Sequence, residues 1–94
     1  MAVFAVHYVY AEDKIPGRDE FRPEHRAWLN SQVEAGVVLT SGPYPDGSGA
    51  LILVQGDDAD AVATLFADDP FKREDLLADR RIVEWVPTMG AFSS

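Results

Sequence analysis

The chain contains two histidines and no cysteine, so its imidazole groups are the first candidates for proton transfer. His25 lies one helical turn before Trp28 and Leu29, so its side chain is expected on the same buried stripe rather than in water. An imidazole at the border between core and solvent suits a general acid or base, because a nearby carboxylate can tune its basicity. The alternative interpretation is a structural histidine that ties a helix to the sheet.

Asp69 is the carboxylate that we expect to meet His25. The run Asp68-Asp69-Pro70-Phe71 also has a plain explanation, in which Asp69 caps a short helix that begins at Pro70. When two helices lie side by side on one face of a sheet, residues near their ends can converge. A carboxylate that meets an imidazole fixes its tautomer and stabilises the imidazolium. His25 and Asp69 are therefore the candidate catalytic residues.

Three further residues are candidates for holding a substrate, namely Ser41, Gly42 and Arg22. Ser41 precedes Gly42 and a proline, where a hydroxyl and a backbone amide can hold a substrate oxygen, although a plain turn residue is the simpler interpretation. Arg22 can pair with a substrate carboxylate or phenolate, or with a surface acid. The second histidine, His7, is interpreted as a half-buried histidine in a strand, hydrogen-bonded to a neighbour.

Other kinds of site have little support in the sequence. The lack of cysteine removes disulfides, thiolate nucleophiles and iron–sulfur clusters. The run Asp46-Gly47-Ser48-Gly49 lacks the Gly-Lys-Ser/Thr ending of a phosphate-binding loop. The acidic residues at 57, 58 and 60 are not followed by a twelve-residue calcium loop with a closing glutamate. We therefore expect no metal and no cofactor.

Length and charge favour one small acidic domain over residues 1–94. The chain has 94 residues, with 8 Lys+Arg against 16 Asp+Glu and a formal net charge of −8. This charge argues against nucleic acid and anionic membranes as partners, because both select basic surfaces. The apolar N-terminal stretch is too short for a signal peptide, and the apolar runs are too short for a membrane span. A cytoplasmic protein is expected.

The elements that must position these residues follow from composition and turn signals. Strands are predicted at residues 3–10, 37–40, 50–55 and 82–86. An exposed loop is predicted over 11–21, a first helix over 23–35 that Gly36 ends, and a second helix that Asp57 or Asp58 caps. A short extra helix is expected within 71–78. The order β-α-β-β-α-β is the ferredoxin-like arrangement of the α+β class, with an antiparallel four-stranded sheet.

Both faces of the predicted sheet are apolar. In the first strand Phe4 and Val6 alternate with Val3 and Ala5, so two helices on one face cover only one of these sets. An uncovered apolar face is an aggregation hazard, and the chain has no element left to cover it. We therefore predict a homodimer in which two sheets pack face to face as an α+β barrel.

Three short motifs, in their order and spacing, resemble the YCII-related (YciI-like) family: Arg22-Pro23-Glu24-His25, Leu39-Thr40-Ser41-Gly42-Pro43 and Asp68-Asp69-Pro70-Phe71. The resemblance covers nearly the whole chain. It implies a ferredoxin-like fold, dimerisation as an α+β barrel, and a pocket in which His25 and Asp69 form a pair beside the Ser41-Gly42 corner. Members of the family are similar in fold to muconolactone isomerase, and one relative is a dehydrochlorinase of a chlorinated hydroxyquinol.

The sequence is consistent with two functions. The first is a cofactor-free enzyme in which His25 moves a proton on a small cyclic or aromatic compound while Asp69 orients the imidazole. Elimination, isomerisation and lactone chemistry all need such a transfer. The alternative is a non-catalytic module whose pocket holds a metabolite or stabilises a dimer.

Overall fold

The computed structural model describes residues 2–93 as a four-stranded antiparallel sheet with helices packed on one face. The strands β1 (Ala2–Tyr10), β2 (Val38–Pro43), β3 (Gly49–Gly56) and β4 (Leu77–Trp85) lie in the order β2-β3-β1-β4. The helices are α1 (Ile15–Glu34), α2 (Ala59–Phe66) and α3 (Pro70–Arg73), and a 3-10 turn at Glu12–Lys14 precedes α1. The predicted ferredoxin-like α+β fold is confirmed.

The core lies between the sheet and the helices. Val6 of β1 is opposite Ile52 of β3, and both side chains are fully buried on the helix-covered face. Phe66 of α2 is also fully buried, and its ring meets the ring of Trp28 of α1 edge-on with centroids 5.1 Å apart. This packing sets α1 beside α2 and brings the middle of α1 against α3, where the candidate catalytic residues lie.

The first helix begins much earlier than predicted. The expectation of an exposed loop over residues 11–21 is wrong, because a 3-10 turn and the early turns of α1 occupy this segment. Pro16 lies in the first turn of α1, where its missing N–H costs nothing. Gly17 permits close packing, since a Cβ there would lie 2.6 Å from Cδ2 of Leu76. Pro23, expected at the helix start, lies inside α1 and removes one internal hydrogen bond.

Strand β2 is longer than the predicted strand at 37–40. Ser41, Gly42 and Pro43, expected to end the strand, continue it and pair with β3. Proline is compatible with this position because β2 is an edge strand, and an edge strand can leave a backbone position without a donor. Ser41 and Gly42 are thus held by sheet pairing rather than by a turn.

Strand β4 is also longer than predicted, and the helix before it is shorter. The sequence predicts a strand at 82–86 and a helix within 71–78, whereas α3 is a single turn and β4 begins at Leu77. Charged residues 79–81 form regular antiparallel pairs with β1. They are acceptable there because β4 is the other edge of the sheet, and edge strands carry charge more readily than central ones.

The C-terminal end of α1 and the N-terminal end of α2 follow the predicted capping chemistry. Gly36, directly after the C-cap of α1, has φ +79°, a conformation that favours glycine. Of the two candidates for capping α2, Asp58 is the one that does so, since its Oδ1 accepts a hydrogen bond of 2.8 Å from the Ala61 N–H. Within residues 2–93, no helix combines the length and the apolar character that a membrane span needs.

The second face of the sheet carries no helix among the described residues. Val3 lies opposite Trp85 and Ala5 opposite Val83, so these side chains share that face. Val9, Val83 and Trp85 keep 45%, 38% and 42% of their surface exposed. The uncovered apolar face expected from the sequence is therefore present on the single chain, and we call it the open face.

Candidate active site

A cavity of about 600 Å³ lies beside α1, β2 and α3. Arg22 and His25 line it from α1, Ser41 and Gly42 from β2, and Phe71 from α3. The three segments are far apart in the chain, and the folded sheet with its helices brings them together. A smaller hollow near Trp85 and the C-terminal segment is lined by neither histidine nor arginine.

His25 and Asp69 are in direct contact at this cavity. The Nδ1 atom of His25 lies 2.7 Å from Oδ1 of Asp69. Asp69 has no exposed surface, and His25 is 8% exposed. Because a carboxylate can only accept a hydrogen bond, we assign the imidazole proton to Nδ1. This contact leaves Nε2 as the ring nitrogen available to a molecule in the cavity.

Two further donors hold Asp69. The Tyr8 hydroxyl donates to Oδ2 at 2.5 Å, and the Phe71 backbone N–H donates to Oδ1 at 3.1 Å. The second bond is the N-cap of α3, so the capping role predicted for Asp69 and its contact with His25 exist together. A buried carboxylate with three donors has a fixed orientation, and it transmits that orientation to the imidazole.

The ring of Phe71 supports the imidazole from one side. The two rings are parallel within 2°, and their centroids are 3.9 Å apart. Phe71 is itself buried, so His25 is held by a hydrogen bond at Nδ1 and by a stacked ring across its face. The imidazole therefore has a fixed position at the wall of the cavity.

The sequence model of the YCII-related domain matches residues 2–86, which is most of the chain. The chain belongs to the YCII-related family. The resemblance of the three sequence motifs is thereby confirmed. No curated protein is a significant match to this YCII-related chain.

Two solved structures share the fold of this YCII-related protein. The 5-chloro-2-hydroxyhydroquinone dehydrochlorinase of Burkholderia phenoliruptrix, in complex with 2,5-dihydroxybenzoquinone, has a TM-score of 0.79 at 18% identity, over 98% of this chain and 99% of that chain. A candidate antibiotic biosynthesis monooxygenase of Bacteroides thetaiotaomicron has a TM-score of 0.55 at 18% identity, over 99% and 94%. These neighbours belong to the dimeric α+β barrel fold. At this identity the likeness shows the fold alone.

The five residues singled out from the sequence lie close together in the YCII-related structure. His25, Arg22, Ser41 and Gly42 line the cavity, and Asp69 lies behind His25. Ser41 is exposed, Gly42 is half-buried, and Arg22 pairs with Asp19 at 2.6 Å. Their roles in catalysis and binding stay predictions. His7 is half-buried on the open face, where its Nδ1 lies 3.2 Å from the Tyr44 hydroxyl.

Sequence reasoning missed several residues of this site. Tyr8 follows the same strand alternation as Phe4 and Val6, and nothing in that pattern indicates which group its hydroxyl meets. Arg18 was placed in the predicted loop, so its helical spacing from Arg22 carried no meaning there. Had the first helix been extended back past Pro16, that spacing of four residues would have put both arginines on one helix face.

Among residues 2–93, no group of three or more histidine, aspartate or glutamate side chains is arranged to hold a metal ion. The ionisable groups at the site include an imidazole, a buried carboxylate, phenols and arginines. Burial and the nearby charge of Asp69 raise the pKa of Tyr8 well above its ordinary value. Tyr8 therefore remains a hydrogen-bond donor to Asp69 at any physiological pH.

The raised pKa of Tyr8 predicts a loss of stability at alkaline pH. Above a pH of about 10 the unfolded chain releases this phenol proton while the folded chain keeps it. Since the folded state then binds more protons, the free energy of unfolding falls as pH rises, by up to about 1.4 kcal/mol per pH unit for this group. Urea denaturation of the wild type and of Tyr8→Phe between pH 8 and 11 measures how the free energy of unfolding changes with pH. Equal slopes in both proteins would overturn the prediction.

Proposed function

We propose that this YCII-related protein is a cofactor-free enzyme that transfers a proton on a small cyclic or aromatic compound. His25 is the general acid or base, and Asp69 orients its ring. The observation that carries the proposal is the 2.7 Å contact between Nδ1 of His25 and a carboxylate that has no access to water, at the wall of a cavity of about 600 Å³. A cavity of that size suits a small ligand.

The proposed proton transfer takes place at Nε2 of His25. The hydrogen bond from Nδ1 to Asp69 keeps Nε2 free to accept a proton, and Asp69 stabilises the imidazolium that then forms. General acid–base catalysis of this kind contributes about 10²- to 10⁴-fold in rate. Ser41, Gly42 and Arg22 are proposed to hold the compound, since all three line the same cavity.

Elimination of hydrogen chloride from a chlorinated hydroxyquinol is the reaction that we propose to test first. In the net reaction one proton leaves to a base and the carbon–chlorine bond breaks, with its electron pair leaving on chloride. No electron is gained from or lost to a third molecule. The step therefore requires a base, which the imidazole supplies, and a substrate ring held in the correct orientation beside it. A structural neighbour is named as a dehydrochlorinase of such a compound, which supports this choice.

Chloride release measures the proposed activity directly. The protein is incubated under anaerobic conditions with 5-chloro-2-hydroxyhydroquinone, and in parallel with muconolactones to test isomerisation. We expect chloride release, or lactone isomerisation, above the rate in buffer. If the compounds bind in the cavity and none reacts above the buffer rate, the enzyme proposal fails and the non-catalytic binding module takes its place.

We also propose that the protein acts as a homodimer joined through the open face. Val9, Val83 and Trp85 are large apolar side chains exposed on that face, and contiguous apolar surface of this kind marks an interaction site. The cavity lies on the helix side of the sheet, so this interface leaves it accessible.

The dimer is tested by sedimentation at micromolar concentration. We expect a mass of about twice the 10.3 kDa of the chain for the wild type. Val83→Glu places a charge on the open face and is expected to shift the protein towards monomer. Val33→Glu, on α1 and similarly exposed, is the matched control and should remain dimeric. A stable, compact wild-type monomer would refute the proposal.

A further inference from the structure

Three arginines line the cavity that holds His25. Arg18, Arg22 and Arg26 follow one another at intervals of four residues on α1, so they lie along one face of the helix. The whole chain has only 8 Lys+Arg against 16 Asp+Glu. A strongly acidic protein thus places three of these basic side chains along one cavity.

Arg18 is buried and held in place before any ligand arrives. It is 6% exposed, one terminal nitrogen donates to the Ala11 carbonyl oxygen at 2.5 Å, and its guanidinium carbon lies 4.6 Å from the centre of the Tyr10 ring. A guanidinium has five N–H donors, and this backbone bond uses one of them. Stacking on an aromatic ring and a fixed orientation are the features that make arginine effective at binding oxyanions.

Arg22 has an acidic partner that a ligand can replace. Its terminal nitrogen lies 2.6 Å from Oδ1 of Asp19, with 40% and 61% of the two side chains exposed. Exposed ion pairs of this kind contribute little, so exchange for a ligand oxyanion costs little. Asp46 is the one acidic residue among the described lining of the cavity. It is exposed, and its carboxylate accepts a hydrogen bond from the Ser48 N–H at 2.9 Å.

Tyr10 adds a neutral donor beside the arginines. Burial raises the pKa of its phenol, an effect that the positive charges of Arg18 and Arg22 partly offset. Tyr10 is therefore protonated at neutral pH and adds no negative charge to the cavity that it lines. A protonated phenol is a neutral hydrogen-bond donor.

We propose that Arg18 and Arg22 form an oxyanion subsite, with Tyr10 beside them, which makes an ionised oxygen group a requirement for ligands of this cavity. The group is a carboxylate or a ring oxyanion on an aromatic or cyclic compound. The proposal deepens the proposed function and rests on it for the identity of the cavity as the reaction site. The subsite fixes the orientation of the ring relative to Nε2 of His25, which lines the same cavity from α1.

The test is a binding measurement with matched charged and neutral probes. Isothermal titration calorimetry compares 2,5-dihydroxybenzoate with 2,5-dihydroxybenzamide, which keeps the ring and hydroxyls but lacks the charge. Binding of 2,5-dihydroxybenzoquinone, whose acidic ring hydroxyls ionise, distinguishes a ring oxyanion from a carboxylate. We expect the charged probe to bind about ten-fold tighter or more than the amide, and its affinity to fall as salt is raised.

Variants connect that preference to the arginines. Arg22→Gln is expected to weaken binding of the charged probe about ten-fold and to leave the amide almost unchanged. Arg18→Lys keeps the charge but loses the guanidinium stacking on Tyr10, so it is expected to weaken binding of the charged probe while leaving the amide almost unchanged. Lys72→Gln removes the same charge from an exposed residue outside the described lining of the cavity, and should have no effect.

The binding experiment tests the oxyanion subsite independently of the proposed enzyme activity. The same titrations with His25→Gln should retain the arginine-dependent preference, because the subsite does not include the imidazole. If the amide binds as tightly as the benzoate, or if Arg22→Gln weakens both equally, the subsite is refuted even where turnover is observed. If turnover is never found but the preference holds and depends on Arg22, the subsite stands and the enzyme proposal fails.

Discussion

Replacing His25 with glutamine is expected to slow turnover by about 10²- to 10⁴-fold, which is the contribution of a general acid or base. Glutamine is a polar side chain that fits the space of the imidazole, but it cannot exchange a proton near neutral pH. Binding of the compound should change much less, since the residues proposed to hold it remain. We therefore expect the loss in kcat, with KM nearly unchanged.

The second histidine provides a matched control. His7→Gln is the same substitution at a residue on the open face, away from the cavity, where its ring contacts Tyr44. Turnover by this variant should stay within about two-fold of the wild type, because His7 does not line the cavity and the proposed dimer interface leaves the cavity accessible. Equal losses in the two variants, or full activity in His25→Gln, would remove His25 from the mechanism.

Local sequence signals were sufficient where the decisive contact is local. Asp69 was predicted to cap the helix that begins at Pro70 because cap and helix start are adjacent in the chain, and the structure shows the bond to Phe71. Strand β1 was also evident, since its alternation of side chains matches burial on the helix-covered face. The pairing of His25 with Asp69 needed more, namely the assumption that two helices lie side by side.

Sequence signals failed where tertiary packing changes the meaning of a residue. Pro16 and Gly17 are typical of a loop, yet one belongs to a helix start and the other allows close packing against Leu76. That error concealed Arg18, which becomes part of the cavity only as a helical residue. Tyr8 illustrates a different limit, because alternation groups its ring with Phe4 and Val6 but does not reveal that its hydroxyl meets a carboxylate 61 residues away.

Replacing Asp69 with alanine is expected to lower the free energy of unfolding by about 3–5 kcal/mol. Asp69 is fully buried and accepts from the Tyr8 hydroxyl, the Phe71 N–H and His25. Removing the carboxylate leaves buried donors unpaired, at about 1–3 kcal/mol each. Because small domains are stable by only about 5–15 kcal/mol, the loss should be large in urea denaturation.

Asp68→Ala is the control for this substitution. It removes a carboxylate from the adjacent exposed residue and should change the stability by no more than about 0.5 kcal/mol. Tyr8→Phe combined with Asp69→Ala should cost less than the sum of the two single changes, because each removes the same hydrogen bond. If Asp69→Ala is no more destabilising than Asp68→Ala, the contacts of the buried carboxylate contribute nothing to the fold.

The structural and proposed catalytic roles of Asp69 become separable in a His25→Gln background. The bonds from Tyr8 and Phe71 to Asp69 do not involve the imidazole, so Asp69→Ala should still lower the stability by most of its single-variant effect. Turnover should fall little further, because a carboxylate that acts by orienting His25 has nothing left to orient. A full additional loss of rate would mean that Asp69 acts on the substrate by a route of its own.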